Sequence, residues 1–266
     1  MTNISFESYR AQFPVADRYI YLDHAGVAPL SLKVRAAVEN FLKEATENSA
    51  FSYPHWTRQI SDCRHACADL VNAHTEEIAF VKSTSHGLSI VANGLDWREG
   101  DNLLVYEKEF PSNMYPWLSL QKKGVQVNTV PSCEGRILFE DVEKRIDSRT
   151  KLLAISSVQF SNGYRVDLQR IGDLCKQNNV LFCLDAIQSL GLLPMDVKKY
   201  HIDFLSADAH KWLLGPEGIG LFFCRREHVE KISPPLVGWK SVQNDFDFDH
   251  MDFRLKKNAL RFEEAP

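Results

Sequence analysis

No apolar run in the 266 residues is long enough to span a bilayer. Val180 to Leu184, among the longest, falls far short of the ~20 residues a membrane helix needs. The first twenty residues also lack a continuous apolar leader, because Glu7, Arg10, Asp17 and Arg18 interrupt them. Positive charge is not in excess either. With 31 Lys+Arg against 35 Asp+Glu, the net charge of −4 leaves no electrostatic footprint for nucleic acid. The six cysteines (Cys63, Cys67, Cys133, Cys175, Cys183 and Cys224) contain no CxxC pair, so neither a disulfide framework nor a zinc site is indicated. Nucleotide fingerprints of the GxGxxG and GxxxxGK[ST] types are missing, as is HExxH, and the nine histidines show no metal-ligand spacing. A metal-free, soluble and cytoplasmic protein is the expectation, with neither a membrane nor a nucleic acid as partner. At 44% hydrophobic and 25% charged residues, the composition is that of a globular chain with a sizeable core.

From residue 76 onward, short apolar runs alternate with amphipathic segments, the mark of an α/β domain with a mostly parallel sheet. Strands are predicted over 77–81, 102–106, 125–130, 151–156, 180–184, 204–206 and 220–224. Helices are predicted over 85–93, 113–122, 140–146 and 168–177, preceded by two amphipathic helices over 31–44 and 56–72 that pack against the sheet or a partner subunit. Ser31 is competent to cap the first of these.

Three segments place polar groups where a strand ends, which is where open α/β sheets bind ligands. In Phe80-Val-Lys-Ser-Thr-Ser-His-Gly87 a strand runs into hydroxyl residues and then a helix. Thr84 and Ser85 there either cap the helix or, with its free N–H groups, hold a phosphate. In Val180-Leu-Phe-Cys-Leu-Asp-Ala-Ile-Gln188 an apolar strand ends in Asp185, with Gln188 three residues on. The segment from Ser206 to Gly220 sets Lys211 beside Trp212 in apolar surroundings. Either Lys211 snorkels to water or desolvation lowers its pKa and frees the amine for a Schiff base. One ligand asks for all three groups: pyridoxal phosphate has a phosphate, a ring nitrogen that wants a carboxylate, and an aldehyde that wants a lysine.

The segments Leu184-Asp185-Ala-Ile-Gln188 and His210-Lys211, with the downstream Gly-Pro-x-Gly-Ile-Gly, resemble class V aminotransferases of the fold-type I pyridoxal-phosphate superfamily. Within it the chain looks most like the cysteine desulfurase/selenocysteine lyase and isopenicillin-N-epimerase-like branch. The likeness runs from Tyr21-Leu-Asp-His-Ala-Gly26 to Arg261-Phe-Glu263. It implies a fold-type I large domain with a mostly parallel seven-stranded sheet and flanking helices, acting as a homodimer on an amino-acid substrate. Lys211 is implied to hold the cofactor as an aldimine and to shuttle the substrate's Cα proton. Asp185 is implied to pair with the ring nitrogen, Gln188 to reach the ring hydroxyl, Thr84, Ser85 and His210 to hold the phosphate, and Phe110 to stack on the ring. His24 and Gly26 fall in the family's substrate-entry segment, and Gln159 or Asn162 is a candidate ring or substrate contact.

The chain departs from the desulfurases in two side chains. Phe110 stands where they carry a histidine, and Asp208 where they carry a small hydroxyl residue. The resemblance divides the chain into an N-terminal segment (1–30), a cofactor-binding large domain (31–230) and the start of a connection to an absent small domain (231–266). Desulfuration of cysteine is the first reading. Its alternatives are another class V reaction (epimerase, aminotransferase or β-lyase) and a cofactor-binding remnant without turnover. The sulfur-accepting cysteine would lie outside the sequence, with Cys63 and Cys67 being buried or surface thiols one helical turn apart.

Overall fold

The computed structural model describes residues 5–265. Among them a seven-stranded sheet organises the chain. Its strands are β1 (Ile78–Val81), β2 (Asn102–Tyr106), β3 (Gln126–Val130), β4 (Thr150–Ser156), β5 (Leu181–Asp185), β6 (Phe204–Asp208) and β7 (Gly220–Cys224). They lie in the order β1-β7-β6-β5-β4-β2-β3. The five strands from β6 to β3 run parallel, whereas β7 is antiparallel to both β6 and β1.

The apolar runs behave as a buried parallel sheet requires, with successive side chains entering opposite cores. Leu103 and Val105 join one cluster with Leu152, Ala154, Cys183 and Phe222. Leu104 and Tyr106 join the other with Leu153, Ile155, Phe182 and Leu184. Both faces are therefore covered, and function is left to the strand ends.

Four longer helices flank the sheet: α1 (Leu32–Glu47), α2 (Tyr53–Val71), α3 (Thr84–Gly94) and α4 (Leu168–Gln177). Ser31 caps α1, as expected, its hydroxyl accepting from Val34 N at 3.2 Å. Yet α1 buries none of its residues and does not pack on the sheet. It leans on α2 instead, through the Phe41 and Trp56 rings (5.1 Å between centroids) and a 2.9 Å bond from Trp56 Nε1 to Glu44.

The continuous helix expected over 113–122 is broken into a 3-10 turn (Pro111–Asn113), one α-turn (Tyr115–Leu118) and a second 3-10 turn (Ser119–Lys123). Pro111 and Pro116 each sit in the first turn of one of these short helices, where a missing N–H costs nothing, so each marks a fresh start instead of a continuation. The helix expected over 140–146 is a shorter one, Phe139–Glu143. No helix is long and apolar enough to cross a membrane among the described residues.

Residues 259–264 return to the edge of the sheet. Phe262 packs edge-on against Phe222 (5.5 Å), and Glu263 accepts from Phe80 N at 2.7 Å. Glu263 also makes a two-pronged ion pair with the buried Arg64 of α2, at 2.6 and 3.1 Å. The Arg-Phe-Glu segment thus closes the β1 edge.

Candidate functional site

The C-terminal ends of β2, β4, β5 and β6 lie on one side of the sheet, and α3 begins on that side after β1. Asp185 is the last residue of β5, one position beyond the expected strand end, and is 2% exposed. Its Oδ1 accepts from Ile187 N at 3.0 Å. Burial pushes its pKa up to about 7. The Ile187 N–H opposes this, the charge of Glu109 adds to it, and the charge of Lys211 counters it.

Lys211 follows the end of β6 and is 7% exposed. Burial lowers its pKa from the usual lysine range, against the opposing pull of Asp185, Asp208 and Asp23. The side chain as a whole is buried, not extended into water. The Phe110 ring stands 5.6 Å from Lys211 Nζ, is 42% exposed, and meets Phe160 edge-on at 5.1 Å.

At the start of α3 the cap is Ser83, whose hydroxyl accepts from His86 N at 3.2 Å. Neither Thr84 nor Ser85 has that task. They occupy the first two helical positions, whose N–H groups have no carbonyl to bond within the helix. Thr84 Oγ1 accepts from Asp208 N at 2.9 Å, which leaves its own proton free to donate. Close packing fixes this junction, since a Cβ on Gly87 would lie 2.2 Å from Ser206 Oγ on β6.

His210 Nδ1 lies 3.0 Å from Asp208 Oδ1 but out of line for a hydrogen bond, and both buried atoms lack a partner. The Asp208 side chain therefore turns toward His210, and a donor is called for between or beside them.

The segment from Tyr21 to Ala28 is drawn over the loop that carries Lys211. His24 stacks on Trp212 at 5.0 Å and 14°, and Ala28 N donates to His210 O at 2.8 Å. The Gln188 amide Nε2 donates one hydrogen to Ala25 O at 3.0 Å, tying this segment down, and keeps a second to give. Gly26 serves a turn, its N–H donating to Asp23 Oδ1 at 3.0 Å. Gly191, at φ +96°, lets the turn after β5 approach Trp212, since a Cβ there would lie 2.3 Å from Trp212 O.

Of the two candidates in the 158–163 turn, only Gln159 is buried. Its Nε2 donates to Glu109 Oε1 at 3.1 Å, while its Oε1 is left without a partner. Asn162 is exposed and spent on the loop, bonding Gly135 O at 2.7 Å and Tyr164 N at 2.9 Å. Sequence reasoning missed Glu109 and Phe160. Glu109 is buried and accepts from Ser156 N at 2.7 Å and from the Ser156 hydroxyl. The only signal in the sequence was its place, three residues after β2 and directly before Phe110.

The family model of class V aminotransferases matches residues 20–264. The chain belongs to that family. A probable cysteine desulfurase of Methanothermobacter thermautotrophicus is 33% identical over 262 residues, covering 97% of this chain and 65% of the relative. One of Pyrococcus abyssi is 31% identical over 265 residues, with the same coverage of 97% and 65%. The chain thus spans about two-thirds of the length of these class V relatives. The apo structure of a cysteine desulfurase from Thermococcus onnurineus superposes with a TM-score of 0.87 at 29% identity, over 100% of this chain and 68% of that one. The mostly parallel sheet with flanking helices is that of fold-type I enzymes.

Proposed function

We propose that this class V chain binds pyridoxal 5'-phosphate and acts on an amino acid, in the manner of cysteine desulfurases and selenocysteine lyases. The observation that carries the reading is that a buried lysine, Lys211, and a buried carboxylate, Asp185, lie at the ends of the neighbouring strands β6 and β5, with the Phe110 ring 5.6 Å from Lys211 Nζ. Bound pyridoxal phosphate supplies an aldehyde and an electron-accepting ring.

The chain's residues fit that group. The free Thr84 hydroxyl, the first N–H groups of α3 and the partnerless His210 ring nitrogen offer donors to an anion at this end of the sheet, with the Asp208 carboxylate turned toward His210. Thr84, Ser85 and His210 hold the phosphate there. Asp185 keeps a proton at the ring nitrogen, and Phe110 covers one ring face. Burial leaves Lys211 a larger share of neutral amine, which serves first as nucleophile and then as the base that takes the substrate's Cα proton. His24, stacked on Trp212, lies where the substrate enters, and Gln159 Oε1 is a buried acceptor for a donor on ring or substrate. A cytoplasmic homodimer is part of the same proposal.

The relatives' name favours cysteine as substrate. Phe110 favours a second reading, because a ring without a titratable nitrogen supports stacking but no acid–base step. Whatever acid–base step the reaction needs then falls to Lys211 alone, which leaves an epimerase, aminotransferase or β-lyase reaction, or binding without turnover, as the second reading. The test is the visible absorbance of the purified chain with added pyridoxal phosphate, followed by borohydride reduction and peptide mapping. A band fixed by reduction onto Lys211, and absent in Lys211→Ala, is expected. An unchanged band in Lys211→Ala overturns the assignment. Incubation with cysteine, assayed for alanine and reducible sulfide, then separates desulfuration from the other readings.

A further inference from the structure

The amide of Gln159, just beyond the end of β4, has its direction fixed from one side. Glu109 Oε1 accepts from Ser156 N at 2.7 Å, and because a backbone N–H can only donate, that oxygen carries no proton. The Gln159 atom 3.1 Å from the same oxygen must therefore be a donor, which assigns it as Nε2. A flipped amide would set two acceptors against each other. Gln159 Oε1 is thus turned away from Glu109, as an acceptor without a partner in a residue that is 1% exposed.

Strand order decides which part of a ligand that oxygen meets. Asp185 ends β5, with His210 and the start of α3 on the β6 side of it and Gln159 on the β4 side. Gln159 stays close to this end of the sheet. Ser157 N donates to Asp185 O at 2.9 Å, and the Phe160 ring meets that of Phe110, which stands 5.6 Å from Lys211 Nζ. In pyridoxal phosphate, the carbons that bear the phosphate arm and the hydroxyl lie on opposite sides of the line from ring nitrogen to aldehyde. With the nitrogen at Asp185 and the phosphate at α3, the hydroxyl faces β4.

We propose, on the reading that the chain binds pyridoxal phosphate, that Glu109 is a positioning residue: it holds the Gln159 oxygen inward, where that oxygen accepts the proton of the ring hydroxyl. Gln188 complements it, because its Nε2 has a second hydrogen to give and a neutral hydroxyl accepts one bond while donating another. A deprotonated ring oxygen would face Gln159 acceptor to acceptor. In the linkage to Lys211, one proton moves between the ring oxygen and the Lys211 nitrogen, with no change in atoms or electrons. The form with the proton on oxygen absorbs at the shorter wavelength, and Glu109 biases the linkage toward it.

The orientation is tested first without cofactor. In protein labelled with heavy nitrogen at glutamine, the Gln159 side-chain signal is assigned by its loss in Gln159→Met. One of its NH2 protons should resonate to low field of a free amide, as donation to a carboxyl oxygen gives, and should return to the free position in Glu109→Met. A free-amide position in the parent overturns the proposal, whatever the chain binds.

With pyridoxal phosphate added, borohydride fixation onto Lys211 reports the linkage, and the ratio of the two absorbance bands reports where its proton lies. Gln159→Met removes the acceptor and should shift the ratio toward the longer-wavelength form about fivefold, as the loss of one neutral hydrogen bond does. In Glu109→Met the freed Ser156 N–H draws the Gln159 oxygen to itself and turns the NH2 inward, so the shift should be at least as large. Glu109→Gln keeps an oxygen for Ser156 N and Gln159 Nε2 and should behave as the parent. Adding Glu109→Met to Gln159→Met should move the ratio no further, because Glu109 acts through Gln159; a merely structural Glu109 would lower stability and leave the ratio alone. An unchanged ratio in Gln159→Met or Glu109→Met, or additive shifts in the double variant, overturns the proposal. A parent that shows the low-field signal but no linkage fixed on Lys211 overturns instead the pyridoxal phosphate reading, and with it the ring hydroxyl as the partner of Gln159.

Discussion

Ser156 gives both of its hydrogens to Glu109: its backbone N–H donates to Oε1 at 2.7 Å and its hydroxyl to Oε2. Gln159 adds a third donor at 3.1 Å. Because β4 holds Ser156 in register with Asp185 of β5, Glu109 brings a second buried carboxylate to the strand ends where Asp185 sits. Replacing it by alanine strands these donors, each with a desolvation penalty of ~1–3 kcal/mol. Glu109→Ala is expected to lose about 2–4 kcal/mol in urea unfolding, and an unchanged midpoint would show that water satisfies the donors instead.

Asp185 destabilises the fold that carries it. Its folded pKa of about 7 lies above the value of about 3.9 in an unfolded chain, so the folded state binds the extra proton between the two. Below about pH 4 both states are protonated and the cost is absent. It grows as pH rises and is complete above about pH 7, where three pKa units correspond to as much as about 4 kcal/mol. In cofactor-free protein, Asp185→Asn should therefore be more stable than the parent at pH 8 and equal to it near pH 4. Denaturation curves at the two pH values check this, and equal stability at pH 8 would mean that Asp185 is solvated there.

The sheet was legible because its strands are apolar on both faces and carry turn signals between them. The bounds of β2 and β7 agree with the pattern to the residue. The placement of Asp185 was legible for a related reason: it is a carboxylate set directly at the end of the apolar run Val180–Leu184. Glu109 was not, since beside Lys108 it reads as part of a charged surface loop, and only the adjacency of β2 and β4 turns it inward. The contact that Gln188 makes within the chain was not legible. The Ala25 carbonyl it binds is 163 residues away, and no local pattern encodes such a contact. The restart within 113–122 is marked in the sequence by Pro116, which the helix reading did not take into account.

Arg64 and Glu263 join α2 to the end of the chain across the β1 edge. The guanidinium also donates to Ile78 O at 3.1 Å, and Glu263 accepts from Phe80 N, so both ends of the pair hold backbone. Removing one partner of such a buried pair leaves the other uncompensated, at about 3–5 kcal/mol. Glu263→Ala is expected to lose about 3 kcal/mol, the lower end because the carboxylate is partly solvated. The double variant Arg64→Met/Glu263→Leu should lose less than the single one. If the double loss equals the sum of the two singles in urea unfolding, the pair is not coupled.

Gly87 sets how closely α3 approaches the sheet. An added Cβ would lie 2.2 Å from Ser206 Oγ, 2.8 Å from Ser206 Cβ and 3.2 Å from the Phe222 ring, so Gly87→Ala must push the helix away from β6. Overpacking of this kind costs about 1–3 kcal/mol. The displacement also carries Thr84, whose hydroxyl accepts the Asp208 N–H, and with it the helix start proposed to hold the phosphate. Gly87→Ala should therefore weaken pyridoxal phosphate binding at least severalfold in a fluorescence titration, alongside the loss of stability. Ser206→Gly in the same chain removes the two shortest contacts and should recover most of both effects. Recovery of stability without recovery of binding would separate the packing role of Gly87 from the placement of Thr84.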